Sequence, residues 1–274
     1  KTGYRLHDNC YGIYDNTKIF EEQETVLETN KLSVQDFRYF RFFHFLQQMM
    51  WSKRWYYDYL KFFYDKKIHP VKIFDLMINQ LKKNSSSISK LYNDFMNDYD
   101  DAESFESQKD LREYWSKTEN FERLQKGDYG KLNMLYTYKI VFDEKNSFNE
   151  FLKTIAQQVS DIYGLDKENI TKIVSSILSF QNAKFIKINQ DKKLVKKFEK
   201  TYDFDFKLWK ESGYKNLEKF NCEKKYKFFL DQDQYKALNT QIDQFKSENL
   251  NTMLRNMTVY TETSQFFYNV EEIK

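Results

Sequence analysis

The chain has 274 residues, of which 41% are hydrophobic and 19% aromatic, so it can bury a substantial core and does not belong to the intrinsically disordered class. Its net charge is +3 with 31% charged residues, and this near balance argues against a dedicated nucleic-acid-binding protein. Only six glycines and one proline are present. Folds with many tight turns need more of both, so the composition favours long helices.

The first thirty residues have the pattern of extended strands joined by a tight turn. Short strands are predicted over 4–7, 11–14 and 18–20, and Asp15-Asn16 fits the two-residue turn of a hairpin. We therefore expect a β segment over residues 1–30.

A long aromatic helix follows the β segment. Ser33 and Asp36 resemble a capping box that starts it, and apolar side chains then recur at helical spacing on nearly every side. A helix of this kind is usually buried within a larger assembly. Arg38, Arg41 and His44 are three residues apart, so they share one flank of the helix.

The polar flank of this helix has two interpretations. Charges on an otherwise apolar helix need partners. For Arg38 and Arg41 these can be carboxylates inside the protein, or the carboxylates or phosphates of a ligand. For His44 the alternatives are a hydrogen-bonded histidine at the edge of an aromatic core and a polar contact to a ligand or a neighbouring domain.

The rest of the chain has mainly helical periodicity, with Pro70 suited to the first turn of one helix and Gly164 to the C-terminal cap of another. The predicted helices are 55–63, 71–83, 88–124 with an interruption at 98–101, 131–142, 148–163, 167–180, 192–200, 204–210 and 232–245. The two candidate strands in this part are 185–188 and 226–230.

These elements predict a mainly α fold. It consists of a multi-helix domain with a small β element at the N-terminus and one or two short strands in the C-terminal half. The helical domain is expected over 31–274, directly after the β segment over 1–30. The serine-rich stretch 84–87 is typical of a linker, so it is a candidate sub-boundary.

Charge is unevenly distributed along the chain. Residues 86–128 hold eleven acidic and six basic side chains, whereas 184–227 hold fourteen lysines against seven acids. The two stretches can be solvated faces of opposite sign. Alternatively, the acidic stretch docks elsewhere and the basic stretch meets an acidic partner or ligand.

No complete catalytic or metal site can be written from the sequence. Six scattered glycines provide no phosphate-binding loop, and no HExxH motif or nucleophile elbow occurs. The histidines His7, His44 and His69 are far apart, and Cys10 and Cys222 are isolated, so no metal site is expected. No catalytic residue can be identified.

Membrane and nucleic-acid partners are not expected. The most apolar stretch, 42–52, lacks charge for only eleven residues, whereas a membrane span needs about 20. The aromatics fall at core spacing and are not interleaved with lysines, which disfavours base stacking. Two isolated cysteines favour a reduced, cytoplasmic protein.

The order of several short phrases resembles the C-terminal region of cobalamin-binding radical-SAM proteins. The phrases are 3–6 and 11–14, which are similar to the tail of the catalytic barrel, then 28–33, 37–46, 127–133 and 202–209. The first hundred residues carry most of the resemblance. The CxxxCxxC loop that binds the cluster, and the cobalamin-binding domain, have no counterpart here.

The resemblance implies that this chain binds no cofactor alone. S-adenosylmethionine, an iron–sulfur cluster and cobalamin are implied for the parent enzyme, which would catalyse methylation or other radical chemistry. Because the first residue is Lys1 and not Met, we expect a fragment, a processed product or a trimmed chain.

The function expected from the resemblance is an accessory one. The chain would pack against the upstream domains of the same polypeptide and help to enclose their active site. The residues expected near that site or interface are Tyr4, Arg5, Arg38, Arg41 and His44. The alternative is a free-standing helical module whose apolar first helix binds a protein partner. Neither the oligomeric state nor the substrate is indicated.

Overall fold

The computed structural model describes residues 1–83, 86–125, 131–189, 191–246 and 248–273, with side chains for all of these except 8, 9 and 101–103. The chain is mainly α-helical with small antiparallel sheets, so the predicted fold class is confirmed. The helices are α1 (Val34–Leu46), α2 (Tyr57–Asp65), α3 (Pro70–Lys83), α4 (Ser87–Glu103), α5 (Gln108–Ser116), α6 (Thr118–Gln125), α7 (Leu132–Tyr138), α8 (Lys145–Tyr163), α9 (Lys167–Ala183), α10 (Phe206–Glu211), α11 (Gln232–Phe245) and α12 (Leu250–Met257). The strands are β1 (Thr2–Tyr14), β2 (Thr17–Val26), β3 (Lys197–Phe204), β4 (Asn221–Phe229) and β5 (Asn269–Ile273).

The N-terminal hairpin forms where the sequence predicts it. Asp15 and Asn16 have φ angles of 46° and 60°, which fit the two-residue turn that matches the twist of the flanking strands. A bulge separates the pair Leu6–Glu22 from the pair Tyr11–Phe20. Four residues of β1 therefore lie opposite a single residue of β2, and the local strand geometry is irregular there.

The start of α1 follows the predicted capping box. The Ser33 hydroxyl accepts from the Asp36 N–H, and the Asp36 carboxylate accepts from the Ser33 N–H at 2.8 Å. The helix continues beyond its last α-helical turn as a π-helical segment, Gln47–Ser52. The second such segment, Lys139–Asp143, follows α7.

Most helices share one large aromatic core with Trp55 inside it. Trp55 precedes α2, is fully buried, and contacts the rings of Tyr138, Phe142, Phe185 and Phe267 at centroid distances between 4.7 and 6.3 Å. Aromatic pairs in such tilted and edge-to-face arrangements each add about 0.5–1.5 kcal/mol beyond their area burial. The high aromatic content therefore serves the core.

The hairpin packs on α5 and α6 and forms a second, smaller core with them. Its buried members are Leu6, Phe20, Phe105, Leu111, Trp115, Phe121 and Leu124. The N-terminal β element is thus anchored to the helical part through its own set of apolar contacts.

The C-terminal half contains a three-stranded antiparallel sheet with β4 in the middle, between β3 and β5. Helix α9 covers the sheet through Phe180, which stacks on Phe206 at 4.3 Å and contacts Tyr226 and Phe228. The strand predicted over 226–230 corresponds to β4 and is confirmed.

The helix predicted over 192–200 is wrong, because this segment enters β3. Lysines are good helix formers, but burial alternates at the end of β3, where Tyr202 and Phe204 are buried and Asp203 is exposed. Pairing with β4 therefore outweighs the helical propensity. The strand predicted over 185–188 is reduced to isolated bridges at its two ends.

The interruption predicted at 98–101 is also wrong, because α4 continues to Glu103. The acidic run is tolerated because two of its carboxylates have partners. The Tyr136 hydroxyl donates to Asp98 at 2.7 Å, and Arg38 forms an ion pair with Asp100. Local repulsion is thereby compensated by tertiary contacts.

Two predictions fall partly outside the described residues: 84 and 85 of the linker at 84–87, and 127–130 of the phrase at 127–133. On either side of that linker, Leu81 of α3 and Ile88 of α4 belong to the same large core. The domain bounds stay a prediction.

Candidate functional site

Tyr4 lies where the hairpin meets the helices. Its N–H donates to the carbonyl oxygen of Phe105 at 2.7 Å, and its own carbonyl accepts from the Phe105 N–H at 2.9 Å. The half-buried Tyr4 side chain packs on the second core. Tyr4 therefore attaches the edge of β1 to the segment that follows α4.

Arg5, the next residue of β1, interacts within the hairpin. Its guanidinium donates to Oε1 of Gln23, the residue directly opposite on β2, at 2.8 and 3.1 Å. This cross-strand pair supports the strand register.

Arg38 and Arg41 both face α4. Arg38 makes an ion pair with Asp100 that is about one-third exposed on each side, so it has a partner inside the protein. The Arg41 guanidinium donates to Oδ1 of Asn133 at 2.6 Å and lies 5.1 Å from the centre of the Phe95 ring. Both arginines thus contribute to the packing of α1 against its neighbours.

His44 is exposed on α1, three residues before the π-helical segment that continues this helix. Tyr4 and Arg38 reach the same end of α4, through Phe105 and Asp100. The described contacts do not join the five predicted residues into one cluster.

The bulge in the hairpin brings together three side chains that can ligate a metal. His7 Nδ1 lies 3.0 Å from Cys10 Sγ, and one ligand atom from each of His7, Cys10 and Glu21 lies within 4.8 Å of the other two. Nitrogen, sulfur and carboxylate ligands suit zinc, with a fourth position left open. The spacing of the histidines and of the cysteines predicted no ligand set, because this set combines three residue types and depends on how β1 and β2 pair around the bulge.

A second cluster surrounds the buried carboxylate of Asp58 in α2. Its Oδ2 lies 2.8 Å from Lys184 Nζ and 3.1 Å from Lys210 Nζ. The Asp58 N–H donates to Oε1 of Gln181 at 3.2 Å, and the Tyr214 hydroxyl lies 3.4 Å from Oδ1. Asp58 therefore joins α2 to α10 through its carboxylate, and to the C-terminal end of α9 through its N–H and Lys184.

The electrostatics of this cluster favour the ionised carboxylate. Burial raises the pKa of Asp58, but the ammonium groups of Lys184 and Lys210 outweigh it and hold this pKa at about 2. Burial lowers the pKa of Lys184 to about 7, because Asp58 offsets only part of this effect and the charge of Lys210 adds to it. The geometry is that of an ion-pair network that fixes helix positions.

The low pKa of Asp58 predicts a specific loss of stability in acid. The folded value of about 2 lies below the ordinary 3.8 of the unfolded chain, so the contribution is fully present above pH 3.8 and is lost as pH falls through 2. We expect Asp58 to contribute about 2 kcal/mol in this way. Urea unfolding of the wild type and of Asp58→Asn between pH 5 and the acid limit measures it. Equal acid slopes for the two proteins would contradict the prediction.

Sequence reasoning missed Asp58, although one signal was present. Asp58 is an isolated acid within an aromatic run, and a charge on an apolar helix needs a partner. Its partners Lys184 and Lys210 lie more than a hundred positions away and could not be chosen from among so many lysines.

A comparison of this chain with protein-family models and with curated proteins finds no match. Within the described residues, none of the helices combines the length and the apolar character needed to cross a membrane.

Proposed function

We propose that this chain is the accessory C-terminal region of a radical-SAM enzyme, which packs against upstream domains and helps to enclose their active site. The resemblance supports this proposal through the segments that form the hairpin and α1. The parent enzyme would supply the iron–sulfur cluster, S-adenosylmethionine and cobalamin, and would catalyse methylation or other radical chemistry. The present chain would supply packing and shape.

The observation that carries the proposal is the outer side of the hairpin. Within the described residues β2 pairs with β1 alone, which leaves a ten-residue edge open to another strand. A long unpaired edge is a template for pairing with a further chain segment.

Exposed apolar side chains lie near the tip of the hairpin, with Tyr14 and Ile19 on one face and Ile13 on the opposite face. Ile13, Tyr14 and Ile19, near the tip of the hairpin, are 58%, 74% and 46% exposed. Burying them against another domain would be favourable by about 25 cal/mol per Å² of apolar surface. Tyr4 and Arg5 lie in the same hairpin but at the end opposite the tip, whereas Arg38 and Arg41 contact α4 and α7 within this chain.

The test is made on the full-length gene product that contains this chain, purified without oxygen. We expect it to contain iron, sulfide and cobalamin and to cleave S-adenosylmethionine. In that product, Ile19→Lys should lower turnover several-fold with unchanged iron and cobalamin content, because a lysine would be buried at the interface. Val259→Lys is the matched control, since Val259 is 58% exposed and lies outside the hairpin.

Two results would refute the proposal. One is a gene product without cluster and cobalamin. The other is equal turnover in the Ile19→Lys and Val259→Lys variants, which would show that the hairpin surface contacts nothing relevant to activity.

The alternative, a free-standing helical interaction module, requires apolar surface on the first helix. Phe42, Phe45 and Leu46 of α1 are buried inside this chain, and Phe40 is half exposed. The apolar side of α1 is therefore largely covered by this chain itself, which favours the accessory role.

A further inference from the structure

A polar pocket of about 420 Å³ lies between the first half of α8 and the second half of α9. Its wall is completed by Lys187, from the segment after α9, and by Lys200 of β3. Pockets of this size accommodate small ligands. The elements that form it are different from those of the hairpin.

Three lysines give the pocket a positive charge that the protein does not neutralise. Within the described residues, no carboxylate forms an ion pair with Lys145, Lys187 or Lys200. The carboxylate that lines the pocket, Glu150, is paired with Lys153 at 2.8 Å. The charge of the first three lysines is therefore available to an anion.

Aromatic and hydroxyl groups hold two of these ammonium groups in place. Lys187 Nζ lies 3.2 Å from the centre of the Phe198 ring, and Lys200 Nζ donates to the Ser179 hydroxyl at 2.7 Å. Neither contact removes the positive charge. Cation–π and hydroxyl contacts thus preorganise the lysines without competing with an anionic ligand.

The lysines also repel one another. Burial lowers the pKa of Lys187, and the charges of Lys145 and Lys200 lower it further. Burial alone lowers the pKa of Lys145. An anion between them would relieve this repulsion.

The remaining lining is suited to hydroxyl groups. Asn149 and Asn182 line the pocket, and a side-chain amide can hydrogen-bond the hydroxyl groups of a ligand.

We propose that this pocket binds a small phosphorylated ligand, with Lys145, Lys187 and Lys200 around the phosphate and the two asparagines on adjoining hydroxyl groups. A dianionic phosphate matches three unneutralised lysines better than a carboxylate does. The lysine-rich stretch 184–227 contributes Lys187 and Lys200, which agrees with a basic surface that meets an acidic ligand.

The test is titration calorimetry of the intact chain at constant ionic strength with inorganic phosphate, ribose 5-phosphate, ribose and chloride. Phosphate and ribose 5-phosphate should bind, with the ester tighter, while ribose and chloride show no saturation. Lys187→Gln and Lys200→Gln should each weaken binding by about tenfold, as expected for one charge-assisted hydrogen bond. Glu150→Gln should strengthen it, because this change removes the carboxylate that lines the pocket.

Lys215→Gln is the matched control, since Lys215 is an exposed lysine outside the pocket. Thermal unfolding separates binding from folding, because Lys187→Gln should raise the midpoint of the ligand-free chain while weakening the shift caused by phosphate. If inorganic phosphate binds with the same affinity as ribose 5-phosphate, the three lysines bind the phosphate group and the asparagines do not contribute to affinity. The proposal is overturned if phosphate has no more effect than chloride, or if the pocket variants bind as Lys215→Gln does.

Discussion

Asp58→Ala is expected to lower the free energy of unfolding by about 3 kcal/mol, within the range of roughly 3–5 kcal/mol for breaking a buried ion pair. The carboxylate is 3% exposed, and its removal leaves the buried amino groups of Lys184 and Lys210 facing each other without an anion. The Lys184 and Lys210 side chains are 15% and 28% exposed, so water partly solvates them. The expected loss of stability therefore lies at the lower end of that range. Urea unfolding at neutral pH measures it.

The control for this prediction is an ion pair on the surface. Asp161 and Lys167 lie 2.7 Å apart with side chains that are 61% and 50% exposed, so Asp161→Ala should change stability by less than about 1 kcal/mol. The double variant Asp58→Ala, Lys184→Met should recover part of the loss, because one of the stranded charges is gone. Equal losses for Asp58→Ala and Asp161→Ala would show that the network around Asp58 is not a stabilising one.

Gly3→Ala is expected to loosen the attachment of the hairpin, at a cost of about 1–3 kcal/mol for overpacking. A Cβ atom at Gly3 would lie 2.4 Å from Leu27 Cδ1 and 2.6 Å from the carbonyl oxygen of Phe105. The second of these atoms belongs to the backbone that pairs with Tyr4, so it cannot move without breaking that pairing. We expect faster hydrogen exchange of the Tyr4 and Phe105 amides.

Gly12→Ala is the matched control in the same strand. Among the described residues, apart from the two chain neighbours of Gly12, no atom lies within 4 Å of a Cβ placed there, so this change should leave exchange at Tyr4 and Phe105 unaltered and stability unchanged or slightly raised. If both glycine variants exchange alike at these amides, the close approach at Gly3 does not control the docking of the hairpin.

The elements predicted correctly from the sequence are those with short-range signals. The hairpin turn at Asp15 and Asn16 needs only two residues that tolerate positive φ, and the capping box needs Ser33 and Asp36 three positions apart. Gly164 ends α8 at a φ of 64°, as its position predicts. Each of these features is decided within one turn of chain.

The elements predicted wrongly are those in which a distant partner outweighs local preference. The lysines before and within β3 favour a helix, but pairing with β4 makes the segment a strand. The acidic run in α4 suggests a break, but Arg38 and Tyr136 stabilise the continuous helix. Propensities differ by less than about 1 kcal/mol per residue, so one set of tertiary contacts can reverse them.

For the candidate sites, the sequence shows which residue types are present, but it does not show which of them are in contact in the folded protein. Composition and periodicity established a helical protein with an aromatic core, because burial of apolar surface requires a repeating face along each element. Asp58 and Lys184 are 126 positions apart, and the pocket lysines come from α8, from the segment after α9 and from β3. Such groups come together only after the helices have packed. The energy of an electrostatic interaction depends on the distance between the charges in space and not on their separation in the sequence.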